Sequence, residues 1–540
     1  MKPGSSLSAK AINSETRSSS PDSSGKGRNR TFLLALAATL LAVLPVIAAR
    51  HLPLLDAAAH ESRLAVLRDL LFTDHGSPFY SFAGFFLPNV GFDLLGLSFA
   101  TVLEPEAAGR AVFALSLTLT LWGILVLNRV VTGRWHALPL AAALFLYNLV
   151  AILGFFSFTL GLGLVSWALA GRLSLANRPA SGFVFGVAAS GVLLICHVSA
   201  FGIFAVMSAG AALEAFLRRP MGLFRLLAWA LEGVPAVALL AKMSISDGSQ
   251  LRYKAPFAAS KAFDLTKGFT SGSVAADVAF VIGVLALIAI LATRSRPRLA
   301  SPLIPGLLGL AILYVALPFQ VQTGYYVDTR LPPAIALLAL AGFAPRETEL
   351  GRKASLPKAT VLAVLALALV AKHGAIAMLW RSLDTTIDVR AAALNALPEG
   401  AVILQTECQP AAYDILGIYR ARQPPLTHLA AMAAFADKRF VASTWTIPGQ
   451  HTISVNSAYK PYYDLQQSFD PSLCGDGNGA TAAAQLRALA AGEAAAGRHV
   501  PPLYLLLIRP PKFVTPLPST RLVGGPPDFQ IYVLEPGDGG

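Results

Sequence analysis

The chain consists mainly of apolar stretches separated by short polar segments. A membrane-crossing helix needs about 20 predominantly apolar residues, and the pattern predicts about eleven such helices. The stretches at 181–197 and 198–217 could also form one broken helix. The predicted spans cover residues 31–49, 110–130, 137–152, 154–171, 181–197, 198–217, 222–241, 275–293, 300–318, 331–345 and 358–380.

The polar segment after the first span reads HLPLLDAAAHESRLAVLRDLL and predicts a helix that begins near Asp56. Asp56, His60 and Arg63 are spaced i, i+4 and i+7, so they share one helix face. Leucines fall on that same face, whereas Glu61, Ala65, Arg68 and Asp69 fall on the opposite one. We therefore expect the first three polar groups to point inward, where they need partners or a function, and the second set to be solvated.

Residues 50–109 form a long first loop in this reading. Its apolar stretch at 90–103 is too short to cross a bilayer comfortably. Treating it as a span would also reverse the side of every later loop. It is therefore predicted to be a helix that lies in the outer membrane interface.

The composition changes after Trp380. Short β-like runs such as AVILQTE, LYLLLIRP and FQIYVLE alternate with helical and Gly/Pro-rich pieces. This pattern predicts a small α/β domain over 382–540. Cys196 lies in a span and is predicted to be a core residue. Cys408 and Cys474 lie in the C-terminal domain, where they form either a disulfide or two free thiols.

Composition agrees with a membrane protein. The chain is 55% hydrophobic and only 14% charged, with a mean hydropathy of +0.59, whereas soluble domains carry about 25% charged residues. The formal charge of +13 could suggest nucleic acid. However, the basic residues cluster in short loops between spans and form no stripe interleaved with aromatics, so nucleic-acid binding is not expected.

Loop charges orient the chain in a bacterial cytoplasmic (inner) membrane. Residues 1–30 are rich in Ser, Gly, Lys and Arg and are predicted to be a disordered cytoplasmic tail before a retained anchor. Alternation then places the arginine-rich loops inside and the 382–540 domain in the periplasm. The basic loop 242–273 is the exception, because the same count places it outside. Either an anionic ligand or simple solvation would account for it. The predicted units are the 1–30 tail, the 31–380 transmembrane domain with its periplasmic loop 50–109, and the 382–540 periplasmic domain.

These features together resemble the GT-C class of membrane glycosyltransferases, which have an Asp early in a long first outer loop, many spans and an outer C-terminal domain. More closely, the chain is similar to a group of bacterial polytopic proteins whose first loop reads LPLxDYPxHLAR. Here it reads LPLLDAAAHESR, which matches at Asp56, His60 and Arg63 but has Ala57 and Ala58 in place of the aromatic–proline pair. Further matches are LPNVGFDLL, FFSFTLGLGL, CHVSAFG, ALPEGAVIL and THLAAMAAFADKRFVASTWTIPGQH, so the resemblance covers most of residues 31–460.

The resemblance implies a polyprenyl-phosphate-linked sugar as donor and a glycan, lipid or protein of the envelope as acceptor. It implies that Asp56 is the base that activates the acceptor hydroxyl. An Asp before AAAHESR is also a good helix N-cap, and both roles are compatible. A metal such as Mg²⁺ or Mn²⁺ is an open question.

Five further residues are candidates for the substrate-binding site. His60 and Arg63 either bind it, hold Asp56 in place, or are interfacial side chains bonded to loop backbone. His197 either lines the cavity or packs. In TGYYVDTRLPP, Arg330 could clamp the phosphate, with Asp328 beside it, or the two could form an ordinary pair at a helix start.

Other functions remain open. No Walker motif or zinc-spaced Cys/His set appears in the sequence, and Gly161 and Gly163 indicate close helix packing. A transporter would be expected to show paired, interrupted spans with ionisable groups near the midplane. We find no internal repeat, and only Glu232 is read as lying well inside a span. A non-catalytic scaffold that presents the C-terminal domain to partners is the second alternative.

Overall fold

A computed structural model describes most of the chain. The described residues are 23–74, 76–218, 227–229, 231–242, 251–293, 298–321, 324–344, 358–407, 425–435, 438–469, 479–509, 517 and 519–535. Cys408 and Cys474 lie outside these ranges, as do residues 1–22 of the tail predicted over residues 1–30. Residues 23–30 of that predicted tail lie in the first helix of the structure.

Helices dominate residues 23–395. Short 3-10 helices occur at Leu138–Ala142, Ser301–Leu303 and Asp328–Arg330. The α-helices are α1 Ser23–Ala48, α2 Ala57–Phe72, α3 Gly91–Ala100, α4 Pro105–Thr132, α5 Ala143–Leu146, α6 Leu149–Ile152, α7 Phe156–Ser174, α8 Pro179–Cys196, α9 Val198–Arg218, α10 Val234–Lys242, α11 Phe257–Lys267, α12 Val274–Thr293, α13 Ile304–Ala316, α14 Leu331–Gly342 and α15 Lys358–Asn395.

Seven helices in the described part of the chain are long and apolar enough to cross a membrane, so the protein is a multi-pass membrane protein. They match seven of the predicted spans. The predicted spans at 300–318 and 331–345 are shorter helices in the structure, and the one at 137–152 is not continuous. The predicted span at 222–241 lies partly outside the described residues. The alternative of a single helix over 181–217 is wrong, because the chain leaves the helical conformation at His197, where φ is −166° and ψ is 129°.

The break within 137–152 has a clear physical basis. The Asn148 side chain accepts from the backbone N–H groups of Val150 and Ala151 and so begins a new helix. Nζ of the buried Lys372 donates to the carbonyls of Leu144 (2.5 Å) and Tyr147 (3.0 Å). These bonds satisfy backbone groups that an interrupted helix leaves free. The prediction that Glu232 is the only ionisable residue well inside a span is therefore wrong, because Lys372 also lies well inside one.

The inter-helix turns gather at two ends of the bundle, as alternating spans require. At one end, the turn after α6 bonds to the segment before α2, and Asn89 Oδ1 accepts from the N–H of Val198 at the start of α9. At the other end, Asn128 Nδ2 donates to the carbonyls of Ala341 and Phe343. The end that holds α2 is called the Asp56 end below.

The elements of the C-terminal part are β6 Val402–Glu407, β7 Phe440–Val441, β8 Ile453–Val455, β9 Leu503–Ile508, β10 Thr520–Gly524, β11 Phe529–Leu534, helices α16 Lys460–Ser468 and α17 Ala480–Ala495, and a 3-10 helix at Leu429–Ala434. Five of these strands form a sheet in the order β10-β11-β9-β6-β7. Strands β9, β6 and β7 run parallel, whereas β11 is antiparallel to β9 and β10. The predicted α/β domain is thus present, although α15 runs through the composition change at Trp380.

Five short strands complete the described structure. They are β1 Tyr80–Phe82, β2 Leu251–Arg252, β3 Arg298–Leu299, β4 Gln320–Val321 and β5 Phe343–Ala344. Strand β2 pairs with β4, and β3 pairs with β5. The pairing of β1 with β8 is antiparallel and joins the first loop to the C-terminal domain. The C-terminal domain therefore sits at the Asp56 end of the bundle.

The first loop folds as predicted in outline. Helix α2 begins after Asp56 and α3 occupies most of the apolar stretch at 90–103. The prediction that the Glu61 face of α2 is solvated is wrong for the first half of the helix, because Glu61 and Ala65 are buried. Glu61 meets α4, where Gly109 leaves room for its carboxyl group. Burial, together with Glu106, raises the pKa of Glu61 well above its usual value.

Candidate functional site

The backbone of Asp56 is fixed by the turn that follows α6. The N–H groups of Leu55 and Asp56 donate to the carbonyls of Ile152 and Leu153, each at 3.1 Å. Gly154 follows this turn with a positive φ of 79°, and a Cβ there would lie 3.1 Å from the Asp56 nitrogen. Glycine is therefore needed at that position both for its backbone conformation and for its size.

The Asp56 side chain is buried, with 5% of the residue exposed. It precedes α2 in the N-cap position but makes no capping hydrogen bond, so the N-cap interpretation is wrong for its carboxylate. Its Oδ1 lies 3.6 Å from Nε2 of His428 in the C-terminal domain. Burial raises the pKa of Asp56 well above its usual value, and the charges of Arg330 and Arg63 oppose that increase.

His60 and Arg63 point inward, as the helical spacing predicts. Arg63 donates to both oxygens of Asp93 through Nε (2.9 and 3.0 Å) and to Oδ1 through Nη2 (2.7 Å). Nη2 also lies 2.9 Å from Nδ1 of His60. Thr452 of the C-terminal domain donates to Asp93 Oδ2 at 2.9 Å. Burial and the neighbouring Arg63 lower the pKa of His60 well below its usual value, so its neutral ring accepts from the guanidinium.

Aromatic rings enclose His60. Phe92, Phe156 and Trp445 have ring centroids 5.0, 5.3 and 5.2 Å from the imidazole. Trp445 in turn lies 4.9 Å from the ring of His428 and stacks on His451 at 5.8 Å. Burial lowers the pKa of His428 to about 4 and that of His451 well below its usual value. The C-terminal domain thus contributes a Trp and two His side chains whose neutral form is favoured by burial.

Arg330 lies in the turn before α14. Its Nη1 donates to Ser199 Oγ at 3.1 Å and lies 3.4 Å from Nε2 of His197, and its Nη2 donates to the Tyr325 carbonyl at 3.2 Å. The guanidinium carbon is 4.8 Å from the ring centroid of Phe155, beside the turn that holds Asp56. Burial lowers the pKa of Arg330 to about 10, although Asp56 and Asp328 raise it.

Asp328 does not pair with Arg330. Its Oδ2 accepts from Lys261 at 2.6 Å, and its Oδ1 accepts from the N–H of Thr329. In the same loop, Lys254 pairs with Asp264 at 2.8 Å. Two lysines of the basic 242–273 loop are therefore neutralised by carboxylates, which weakens the argument for an anionic ligand there.

Five of the predicted site residues lie together at the Asp56 end of the bundle: Asp56, His60, Arg63, His197 and Arg330. Asp328 instead forms a separate ion pair with Lys261. Residue-by-residue reasoning missed His428, Trp445, His451 and Thr452. All four occur in or directly after the segment THLAAMAAFADKRFVASTWTIPGQH. The resemblance of that segment to the family was the one feature of the sequence that could have indicated them.

No group of three or more His, Cys, Asp or Glu side chains within the described ranges could hold a metal ion. Asp93 is occupied by Arg63, and the Asp56 carboxylate has only His428 within ion-pair distance in this part of the chain.

No protein-family model matches this chain, and no curated protein matches it either. One solved structure that aligns with it is that of ArnT from Cupriavidus metallidurans bound to undecaprenyl phosphate. The alignment covers 95% of this chain and 98% of ArnT, at 11% identity and a TM-score of 0.45. This likeness is too low to support an argument about activity.

Proposed function

We propose that the protein is a GT-C-type membrane glycosyltransferase that transfers a sugar from a polyprenyl-phosphate donor to an envelope acceptor, with the Asp56 end facing the periplasm. The observation that carries this proposal is the position of Asp56. Its carboxyl group is buried within the electrostatic influence of Arg330 and Arg63, at the junction of the first loop, the helical bundle and the C-terminal domain.

The chemistry of sugar transfer fits these groups. A base must take the proton of the acceptor hydroxyl, and positive charge must stabilise the departing phosphate. We assign the role of this base to Asp56. Two buried guanidinium nitrogens, Arg63 Nη1 and Arg330 Nε, have no hydrogen-bond acceptor among the described residues, and a phosphate oxygen would satisfy either of them.

The defining test is Asp56→Asn. It should abolish the envelope modification while the protein stays at its normal level in the membrane, because the amide keeps the volume but cannot accept a proton. Asp69→Asn, the same change on the partly buried second half of α2, is the matched control and should behave as wild type. Glycan and lipid profiles of a deletion strain carrying each variant are compared with the parent. Unchanged profiles for Asp56→Asn at full expression would favour the scaffold alternative.

The side of the membrane is tested separately with thiol labelling. In a chain whose native cysteines are replaced, Lys460→Cys lies on the C-terminal domain and Arg134→Cys lies at the opposite end of the bundle, and both positions are exposed. A membrane-impermeant maleimide applied to intact spheroplasts should label position 460, and should reach position 134 only after permeabilisation. The reverse result would overturn the proposed orientation.

Transport is a second candidate because the 137–152 segment is interrupted and Lys372 is buried beside the break. Both features are found in transporters. However, Lys372 is engaged with the backbone of the break, which is a structural reason for its presence. Flux into proteoliposomes that contain no acceptor would favour transport over sugar transfer.

A further inference from the structure

A carboxyl group buried as deeply as Asp56 faces a difficulty as a base. Removal from water disfavours its charged form, so it holds its proton at neutral pH unless a neighbour compensates. A protonated carboxyl cannot accept the proton of an acceptor hydroxyl. If Asp56 is the base of the proposed reaction, a second group must take the proton that rests on it.

His428 is the group within reach. Its Nε2 lies 3.6 Å from Asp56 Oδ1, and it is the sole titratable partner within ion-pair distance of that carboxylate in the described chain. This distance is slightly longer than a hydrogen bond, and catalytic hydrogen bonds are often long before substrate binds. Arg330 and Arg63 act on Asp56 only through their charge, because a guanidinium is a donor and does not accept a proton.

The C-terminal domain holds His428 in place. Gln405 Nε2 donates to the carbonyl of Thr427 at 2.7 Å, and Thr427 Oγ1 donates to Glu407 Oε2 at 3.2 Å. Gln405 and Glu407 stand at the carboxyl end of the parallel strand β6, where α/β domains commonly place functional groups. The 3-10 helix that follows His428 is buried against the first loop, with Leu429 and Met432 lining the same small cavity as Leu55 and Ala58.

We propose that His428 is the proton acceptor for Asp56. The base of the reaction is then a pair of residues, Asp56 from the first loop and His428 from the C-terminal domain. This inference rests on the proposed function. It adds to that function a proton-accepting partner for Asp56, which lies in the C-terminal domain more than three hundred residues away in sequence.

The proton balance is simple. Before transfer, the pair holds one shared proton, which moves from Asp56 to Nε2 of His428 and leaves a carboxylate. The acceptor O–H bond then breaks and its proton goes to Asp56. The acceptor oxygen forms a bond to the sugar C1, while the bond from C1 to the phosphate oxygen breaks and its electron pair leaves with the polyprenyl phosphate. The imidazolium then loses one proton to water, which restores the pair.

Charged and titratable groups from several elements face this pair. Arg63 comes from α2 and Arg330 from the turn before α14, and both favour an ionised Asp56. His60 is within the electrostatic reach of His428 and of His451. Positive charge on His428 therefore disfavours charge on the other two imidazoles. Burial favours the neutral form of His428, so its imidazolium forms only while the Asp56 carboxylate beside it is ionised.

A substrate-free test uses infrared spectroscopy of the full-length protein in lipid nanodiscs. The carbonyl stretch of the protonated Asp56 is identified by its loss in Asp56→Asn, and its intensity is followed against pH. In His428→Phe the band should persist to a pH higher by about one unit, a tenfold change in the dissociation constant, because the proton acceptor is gone. His499→Phe, on the exposed surface of the same domain, is the control and should titrate as wild type.

Two results would overturn the proposal. One is an identical titration midpoint in wild type and in a folded His428→Phe. The other is the absence of any band that Asp56→Asn removes, since Asp56 would then be ionised without help. His428→Gln, which keeps a hydrogen-bond donor but cannot take up the proton, covers the case in which His428→Phe does not fold, and the band should again persist to higher pH.

A second readout depends on activity. The modification lost in His428→Ala cells should be partly restored by imidazole added to isolated membranes that contain the native donor and acceptor, whereas Asp56→Asn should not respond. Failure of rescue together with an unshifted infrared titration contradicts the pair. Wild-type modification in Asp56→Asn cells contradicts the proposed function, while the infrared result still decides whether the two residues share a proton.

Discussion

Arg63 and Asp93 form a buried ion pair that joins two helices of the first loop, with 3% and 2% of their side chains exposed. Nε donates to both carboxylate oxygens, Nη2 adds a third bond, and Thr452 from the C-terminal domain donates a fourth. A charge removed from water this completely is stable only when it is paired and hydrogen-bonded. This pair therefore fixes α2, α3 and the C-terminal domain relative to one another.

Removal of one partner of the Arg63–Asp93 pair should lower the stability of the protein substantially. Arg63→Met leaves the Asp93 charge buried, so we expect a loss of about 3–5 kcal/mol of stability, measured by thermal unfolding in detergent. Arg68 lies on the same helix as Arg63, and Arg68→Met breaks its more exposed pair with Glu104. This change should cost under about 1 kcal/mol of stability. The double variant Arg63→Met/Asp93→Leu should be more stable than Arg63→Met alone. Equal melting temperatures for Arg63→Met and Arg68→Met would contradict this assignment.

Substitution of Gly154 should disturb Asp56 directly. In Gly154→Ala the new Cβ meets the Asp56 nitrogen at 3.1 Å and the residue must adopt a positive φ, which costs about 1–2 kcal/mol. We expect lower stability and loss of the envelope modification together. Gly191→Ala is the control, because a Cβ there meets nothing within 4 Å and the change favours the helix. A fully stable and active Gly154→Ala would contradict the tight approach.

Lys372 should be required for the interrupted segment. Lys372→Met keeps most of the side-chain length but removes the bonds to the carbonyls of Leu144 and Tyr147. Leaving buried carbonyls unsatisfied costs about 1–3 kcal/mol, which we expect as a lower melting temperature. Lys460→Met, at an exposed site, should melt as wild type. Because the segment after the break holds the backbone of Asp56, the envelope modification should decrease as well.

Stability should depend on pH through His51. Its ring contacts Asp388 at 2.9 Å and Glu106 at 3.3 Å. Burial lowers its pKa, but these two carboxylates outweigh burial, so the pKa is raised above 6.5. A group whose pKa is higher in the folded state stabilises the fold fully below its unfolded pKa, and this contribution is lost as the pH rises through the folded value.

The measurement is the difference in melting temperature between wild type and His51→Gln. This difference should be largest at about pH 5.5 and should shrink towards about pH 8.5, where the imidazole is neutral. Measuring the difference cancels the titration of other groups. A difference that is constant over this range, or that grows as the pH rises, would show that His51 does not contribute through its charge.

The sequence by itself determined the local features of this protein. Long apolar runs can be buried only as helices in a bilayer, so the membrane class and the positions of seven long helices followed from composition and length. The spacing of His60 and Arg63 placed both on the inward face of α2, because helical geometry is set by nearby residues. Strand-like runs likewise indicated the α/β character of the C-terminal domain.

Contacts between distant segments were decided only by the tertiary structure. The burial of Glu61 depends on the room left by Gly109 on α4, and the capping of the 137–152 break depends on Lys372 from another helix. His428 and Thr452 reach Asp56 and Asp93 from the far end of the chain. Periodicity reports which face of an element is apolar, but it carries no information about which other element covers that face. The partners of Asp56 were therefore fixed by packing, after the helices themselves were already determined.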